Sequence, residues 1–167
     1  MHISIRRLQI PDSTTIALLE KKVWEGIHTY SKEEIEERMR INKHGFLGYF
    51  EYDQLKGYIE GIRVKKYSHF NTWEEASSLA NLDNEGKIKY LSNVTVADPG
   101  KGIGSVLLNS YKIYARSLGI KMLTLGSRVP TYHFYKKLGF QDVKHIEKWW
   151  EVDIESGGKG ILMKYEL

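Results

Sequence analysis

A chain of 167 residues, 41% hydrophobic and 28% charged, is long enough to bury a core unaided, and with no cysteine it excludes disulfides, thiolate metal sites and a cysteine nucleophile. Its net charge of +4 is spread among acidic residues, as in Glu33-Glu34-Ile35-Glu36-Glu37-Arg38, so no polybasic stripe stands out and no nucleic-acid partner is expected. No run approaches the roughly 20 apolar residues of a membrane span, and the alternating start lacks a signal-peptide core; one cytoplasmic domain over residues 1–167, without a membrane partner, is expected.

Residues 3 to 10 alternate apolar and polar and predict an opening strand, closed by Pro11-Asp12. A helix follows, with Asp12 or Ser13 as its cap, Ile16, Leu19 and Val23 as its buried stripe, and Gly26 as its stop. Ser31-Lys32-Glu33-Glu34 has the form of a capping box and opens a second helix to about Asn42. Residues 46 to 52 and 55 to 64 predict a hairpin turning at Asp53-Gln54, with Tyr58, Glu60 and Ile62 on one face. The polar stretch from Lys65 to Gly86 reads as an insertion holding one short helix, Trp73 to Ala76, capped by Asn71 or Thr72.

Residues 87 to 97 predict a strand stopped by Asp98-Pro99, and the glycine loop Gly100-Lys101-Gly102-Ile103-Gly104 comes next. Val106, Leu107, Tyr111, Ala115 and Leu118 then keep helical spacing up to Gly119. Lys121 to Leu125 is a short strand; Pro130 opens a helix from Thr131 to Leu138 that Gly139 ends. Strands over about Val143 to Val152 and Gly160 to Glu166 finish the chain. This order predicts an α/β fold of mixed α+β type, a mixed sheet flanked by helices, in which the strands either side of the glycine loop and its helix lie parallel.

Glycines at every second position between a strand and a helix let bare backbone approach a ligand. The helix start behind them offers up to four unpaired amides and about half a positive charge, and Lys101 adds a mobile cation: an anion site suited to a pyrophosphate. Lys101 is followed by Gly102 where a Walker loop needs Ser or Thr, and the third glycine of a dinucleotide fingerprint is missing.

The strand Leu91 to Val96, the loop Gly100 to Ser105 and the later block Phe134-Tyr135-Lys136-Lys137-Leu138-Gly139-Phe140 together resemble the core of the GNAT N-acetyltransferase superfamily. The resemblance implies a mixed, mostly antiparallel sheet with a parallel strand pair at the cofactor site, and acetyl-CoA (coenzyme A) as acyl donor. It implies that Val94 and Val96 offer backbone groups to the pantetheine arm, while Lys101, Gly102, Ile103, Gly104 and Ser105 hold the pyrophosphate. It also implies transfer of an acetyl group directly to a primary amine, on a small molecule or a protein. A non-catalytic acyl-CoA-binding regulator of the same fold is the alternative, and a homodimer is compatible with either. One departure is Pro99, at a position where the family usually has Arg or Gln.

Direct transfer needs an unprotonated amine, a polarised carbonyl and a proton for the departing thiolate. The resemblance places Tyr135 near the thiol, and a phenol can protonate a thiolate. Glu60, mid-strand between Tyr58 and Ile62, is the candidate base, and Asn93 on the neighbouring strand is a candidate for orienting a water or the substrate. His133, beside the acid block, reads as a solvated helix residue. Of Trp149 and Trp150, placed on a late strand, one can wall the acceptor site. The histidines show no ligand spacing, so no metal is expected.

Overall fold

The computed structural model describes residues 1–167. In chain order they form β1 (Ile3–Arg7), α1 (Ser13–Trp24), α2 (Lys32–Ile41), β2 (Phe46–Glu51), β3 (Gln54–Val64), α3 (Trp73–Ala76), β4 (Ile88–Val96), α4 (Ile103–Ser117), β5 (Met122–Arg128), α5 (Tyr132–Lys137), β6 (Gln141–Ile146) and β7 (Gly160–Glu166). The seven strands follow the order β1-β2-β3-β4-β5-β7-β6, mostly antiparallel, with β4 and β5 as the parallel pair, so the expected mixed sheet flanked by helices is the fold. No helix is long and apolar enough to cross a membrane. The chain divides into two compact units, Met1–Gly61 with Asn93–Tyr114, and Ile62–Ser92 with Ala115–Leu167.

In the first unit β1, β2 and β3 form an antiparallel meander, with Ile5 opposite Tyr49 and Leu47 opposite Ile59. Tyr52 and Asp53 make the hairpin turn at φ 47° and 64°, the paired positive φ that a two-residue turn requires to match the strand twist. Ile16 and Leu19 of α1 and Ile35 and Met39 of α2 close over Phe46, Phe50, Leu55 and Tyr58. Each such side chain contributes about 1.5–3 kcal/mol by leaving water. Ser31 caps α2 as the sequence predicts: its hydroxyl accepts the Glu34 amide at 3.1 Å and the Glu34 carboxylate accepts the Ser31 amide at 2.7 Å. Asp12, by contrast, makes no cap for α1. Its carboxylate takes the Gln9 amide and a bidentate Arg6, which turns the chain and ends β1 at Arg7 where an extended strand to residue 10 was expected.

In the second unit β4 and β5 are parallel over Ile88–Tyr90 and Met122–Thr124, while β7 lies antiparallel to both β5 and β6. The expected strand from Val143 to Val152 ends at Ile146, because the amides of Trp149 and Trp150 both donate to the Gly158 carbonyl, at 2.8 and 3.0 Å, and fold the chain into a strap. The two tryptophans therefore sit on a loop. Trp149 fills the space left by the missing side chains of Gly126 and Gly160, and Trp150 stacks on Trp73 with ring centres 4.9 Å apart. The strap is tied down by Arg128, whose Nε and Nη2 each reach Asp153 at 2.8 Å.

Candidate functional site

The glycine loop opens α4 in the first unit. Gly100 and Gly102 have φ of 85° and 79°, a left-handed backbone that a side chain would strain, and no protein atom lies within 4 Å of where a Cβ would stand on either. The Gly102 carbonyl accepts the Val106 amide at 3.1 Å, which makes it the first helical acceptor. The amides of Ile103, Gly104 and Ser105 precede that bond and have no acceptor within the helix, so they carry the positive end of its dipole. Gly104 is thus the second residue of α4, where the sequence reading placed it in the loop. Ile103, 3% exposed, anchors this helix start, and Gly57 makes room for it: a Cβ there would meet the Thr95 carbonyl at 2.9 Å and the Leu107 side chain at 3.4 Å. An open cradle of backbone donors results, and it suits a pyrophosphate.

Beside it in the same unit, Asn93 and Thr95 of β4 join a buried polar network built on Glu20 of α1, 1% exposed. Glu20 Oε1 accepts the Tyr58 hydroxyl at 2.5 Å and Asn93 Nδ2 at 2.8 Å, and lies 3.2 Å from Thr95 Oγ1. Oε2 accepts the Tyr30 amide at 3.3 Å. Asn93 Nδ2 also donates to Tyr58 Oη at 2.8 Å, and the single Thr95 hydroxyl proton is shared between Glu20 Oε1 and Asn93 Oδ1. Trp24 Nε1 donates to Thr95 at 2.7 Å. Burial raises the Glu20 pKa, and the hydrogen bonds from Tyr58, Asn93, Tyr30 and Thr95 only partly offset it.

Glu60 lies in the first unit as a buried partner of Arg38. Arg38 Nε reaches both of its carboxylate oxygens at 2.9 Å, and the guanidinium lies 5.0 Å from the centre of the Tyr30 ring. The residue is 1% exposed, so its carboxylate faces Arg38 and not solvent. Both carboxylate oxygens are thereby engaged by Arg38 within the protein. Asn93, with both its amide donors taken by Glu20 and Tyr58, is engaged within the protein.

Tyr135 belongs to the second unit, on α5, with its ring edge-on to Phe134 and Phe140 at 5.1 and 5.7 Å. The side chain is buried, and burial pushes the phenol well above its ordinary pKa, against a smaller opposing effect of Arg128. The hydroxyl stays protonated at neutral pH, as an acid must. His133 on the same helix packs edge-on against Tyr132, ring centres 5.2 Å apart.

The model of the acetyltransferase (GNAT) family matches residues 15–140, three quarters of the chain. The chain belongs to this family. No curated protein matches it. Among solved structures, the loading GNATL domain of CurA from Lyngbya majuscula is similar with a TM-score of 0.85 and 18% identity, over 99% of this chain and 98% of that one. A GNAT-like decarboxylase, GphF, in complex with isobutyryl-CoA gives 0.84 and 18% over 98% of each. The PaiA N-acetyltransferase from Thermoplasma acidophilum, in complex with coenzyme A, gives 0.69 and 21% over the whole of both chains. At these identities the likeness is one of fold.

Within this GNAT chain, sequence reasoning missed Glu20 and Arg38. Glu20 did leave a signal: it falls at position i+4 from Ile16, inside the stripe of Ile16, Leu19 and Val23, where a charged residue has no reason to be unless it is bonded.

Proposed function

We propose that the whole chain is one cytoplasmic acyltransferase domain that moves an acyl group, acetyl in the first instance, from an acyl-CoA to a primary amine by direct transfer. The observation that carries this reading is the open glycine cradle: two glycines at positive φ with clear space above them, ahead of the unpaired first-turn amides of α4. Coenzyme A, when bound, supplies the acyl group as a thioester. The amides of Ile103, Gly104 and Ser105 hold the pyrophosphate, Lys101 and Gly102 line its approach, and the backbone of Val94 and Val96 receives the pantetheine arm. Tyr135 holds its proton by burial and gives it to the departing thiolate. The acceptor reacts as the free amine and yields its proton to water; Glu60, fixed on Arg38, keeps a structural role in this scheme, and Asn93 a positioning one.

Calorimetric titration with acetyl-CoA, against ATP and NAD as controls, tests the reading. Selective binding of acetyl-CoA, followed by amine-dependent thiol release, supports it. No binding, or preference for ATP or NAD, overturns it. Release of carbon dioxide from malonyl-CoA without any amine would replace transfer with decarboxylation, the reaction named for GphF.

A further inference from the structure

The first unit buries two carboxylates, Glu20 and Glu60, and the two are treated differently. Glu60 has a guanidinium; Glu20 has four neutral donors from three separate parts of the chain and no cation. Those parts are β3 through Tyr58, β4 through Asn93 and Thr95, and the loop between α1 and α2 through the Tyr30 amide. The bonds are unequal. Oε1 is crowded by the strand residues at 2.5, 2.8 and 3.2 Å, whereas Oε2 keeps the loop by one contact of 3.3 Å. Trp24 adds a second line from α1 to the same strand, through its 2.7 Å bond to Thr95.

Both lines end on the same feature. Trp24 and Tyr30 are walls of an open cavity of about 540 Å³ between α1 and the loop that precedes α2, with Thr14, Ala17, Lys21 and His28 around it. On β4, Asn93 and Thr95 alternate with Val94 and Val96, the residues whose backbone takes the pantetheine arm in the proposed function. Two of the side chains that grip Glu20 thus alternate with the backbone assigned to the cofactor along one four-residue stretch of β4.

We propose that Glu20 is a positioning residue that couples the cofactor strand to the loop 25–31, so that loading acyl-CoA on β4 and α4 orders Tyr30 and Trp24 and sets the shape of that cavity. The inference rests on reading β4 and α4 as the acyl-CoA site. Fixing the backbone of Val94 and Val96 fixes Asn93 and Thr95; their bonds hold the Glu20 carboxylate in one orientation, and the oriented Oε2 shortens its contact with the Tyr30 amide. Two acceptor oxygens are what the design needs, since an amide at position 20 offers one acceptor oxygen and turns a donor toward Tyr30 or toward the strand.

Amide hydrogen exchange on the full chain, with and without saturating acetyl-CoA, tests it. In the wild type, acetyl-CoA slows exchange at Ile103 to Ser105 and also at Thr29 to Ser31, the latter by about fivefold or more, the low end of ordinary coupling. In Glu20→Gln the first effect remains and the second disappears; a purely structural role would shift the unliganded rates and leave the ligand-induced difference in place. Should Glu20→Gln fail to fold, Thr95→Val, which removes the hydroxyl at constant size, is expected to give the same loss. Protection of the glycine loop with unchanged exchange at Thr29 to Ser31 overturns the coupling and leaves the cofactor reading standing. So does a Glu20→Gln protein that keeps both effects. Absence of protection at the glycine loop itself overturns the cofactor reading, and the coupling with it.

Discussion

Removing Arg38 is the sharpest test of what Glu60 does. In Arg38→Met the aliphatic stem is kept and the guanidinium is lost, leaving Glu60, 1% exposed, without the cation that holds both its oxygens at 2.9 Å. A buried carboxylate stripped of its partner costs about 3–5 kcal/mol, and at about 2–4 °C per kcal/mol for a chain of this size the melting temperature falls by roughly 6–20 °C. Removing both charges is different, because well-packed apolar groups replace a buried pair at little cost. Arg38→Met with Glu60→Leu is therefore expected to recover most of the lost stability. Urea unfolding of the two single variants and the double variant closes the cycle. Losses in the singles that add in the double would refute the ion-pair account. So would an Arg38→Met protein as stable as the wild type, and Glu60 would then return as a candidate base.

Tyr135→Phe should lower the turnover of thiol release by about 10²-fold or more, the usual range for a lost general acid, with acetyl-CoA affinity and melting temperature nearly unchanged. Unaltered turnover removes Tyr135 from the mechanism. Gly102→Val meets no protein atom and costs about 1–2 kcal/mol in backbone strain, yet it should abolish acetyl-CoA binding by filling the cradle. Gly119→Val, at φ 75° with equally clear space, carries comparable strain and should bind normally; loss of binding in both, or in neither, refutes the assigned loop. Gly126→Ala puts a Cβ 2.0 Å from the Trp149 ring, so it should cost about 1–3 kcal/mol by urea unfolding in the wild type and much less in a Trp149→Leu background, where the ring is gone. Because burial raises the Glu20 pKa above 4.5, the folded protein holds that proton more tightly than the unfolded chain does. The stability of the wild type relative to Glu20→Gln should then be greatest below about pH 4.5 and decline as pH rises through the raised pKa. A melting-temperature difference that is flat with pH would refute the shift. Tyr30 and Tyr58, the other titratable groups bonded to Glu20 or near it, stay protonated in that range, and the Arg38–Glu60 pair is common to both proteins.

What the sequence shows well is what the backbone decides locally. Capping at Ser31 and Thr72, the stops at Gly119 and Gly139 with φ 75° and 91°, and the strand, loop and helix around Gly100 each depend on a handful of adjacent residues. The fold class follows from their order. The failures share a cause as well. Residues 143 to 152, with Val143, Ile146, Trp149, Trp150 and Val152, read as one long strand, but the Gly158 carbonyl, reached only after the chain doubles back, captures the Trp149 and Trp150 amides and ends the strand at Ile146. The setting of Glu60 is hidden in the same way: its partner Arg38 lies 22 residues away on α2, and β3 is covered on both faces, since Ile59, Glu60, Gly61 and Ile62 are all buried in succession.

The same distinction separates the two halves of the candidate site. The cradle needs only Gly100 to Ser105 and the helix they open, so its chemistry is written in one short stretch. Glu20 gets its meaning from Asn93, 73 residues away, from Thr95, 75 away, and from Tyr58, 38 away, and none of these residues is unusual in its own neighbourhood. A buried carboxylate without a cation is costly, and an apolar residue would fill the stripe between Ile16 and Val23 at lower cost. Packing alone therefore does not account for Glu20. Its four donors do, because only an acceptor with two oxygens, at the point where α1, β3, β4 and the Tyr30 loop converge, can hold all of them at once. The local stretch explains how this GNAT chain would take a cofactor; the distant contacts explain how the rest of the first unit would respond to its presence.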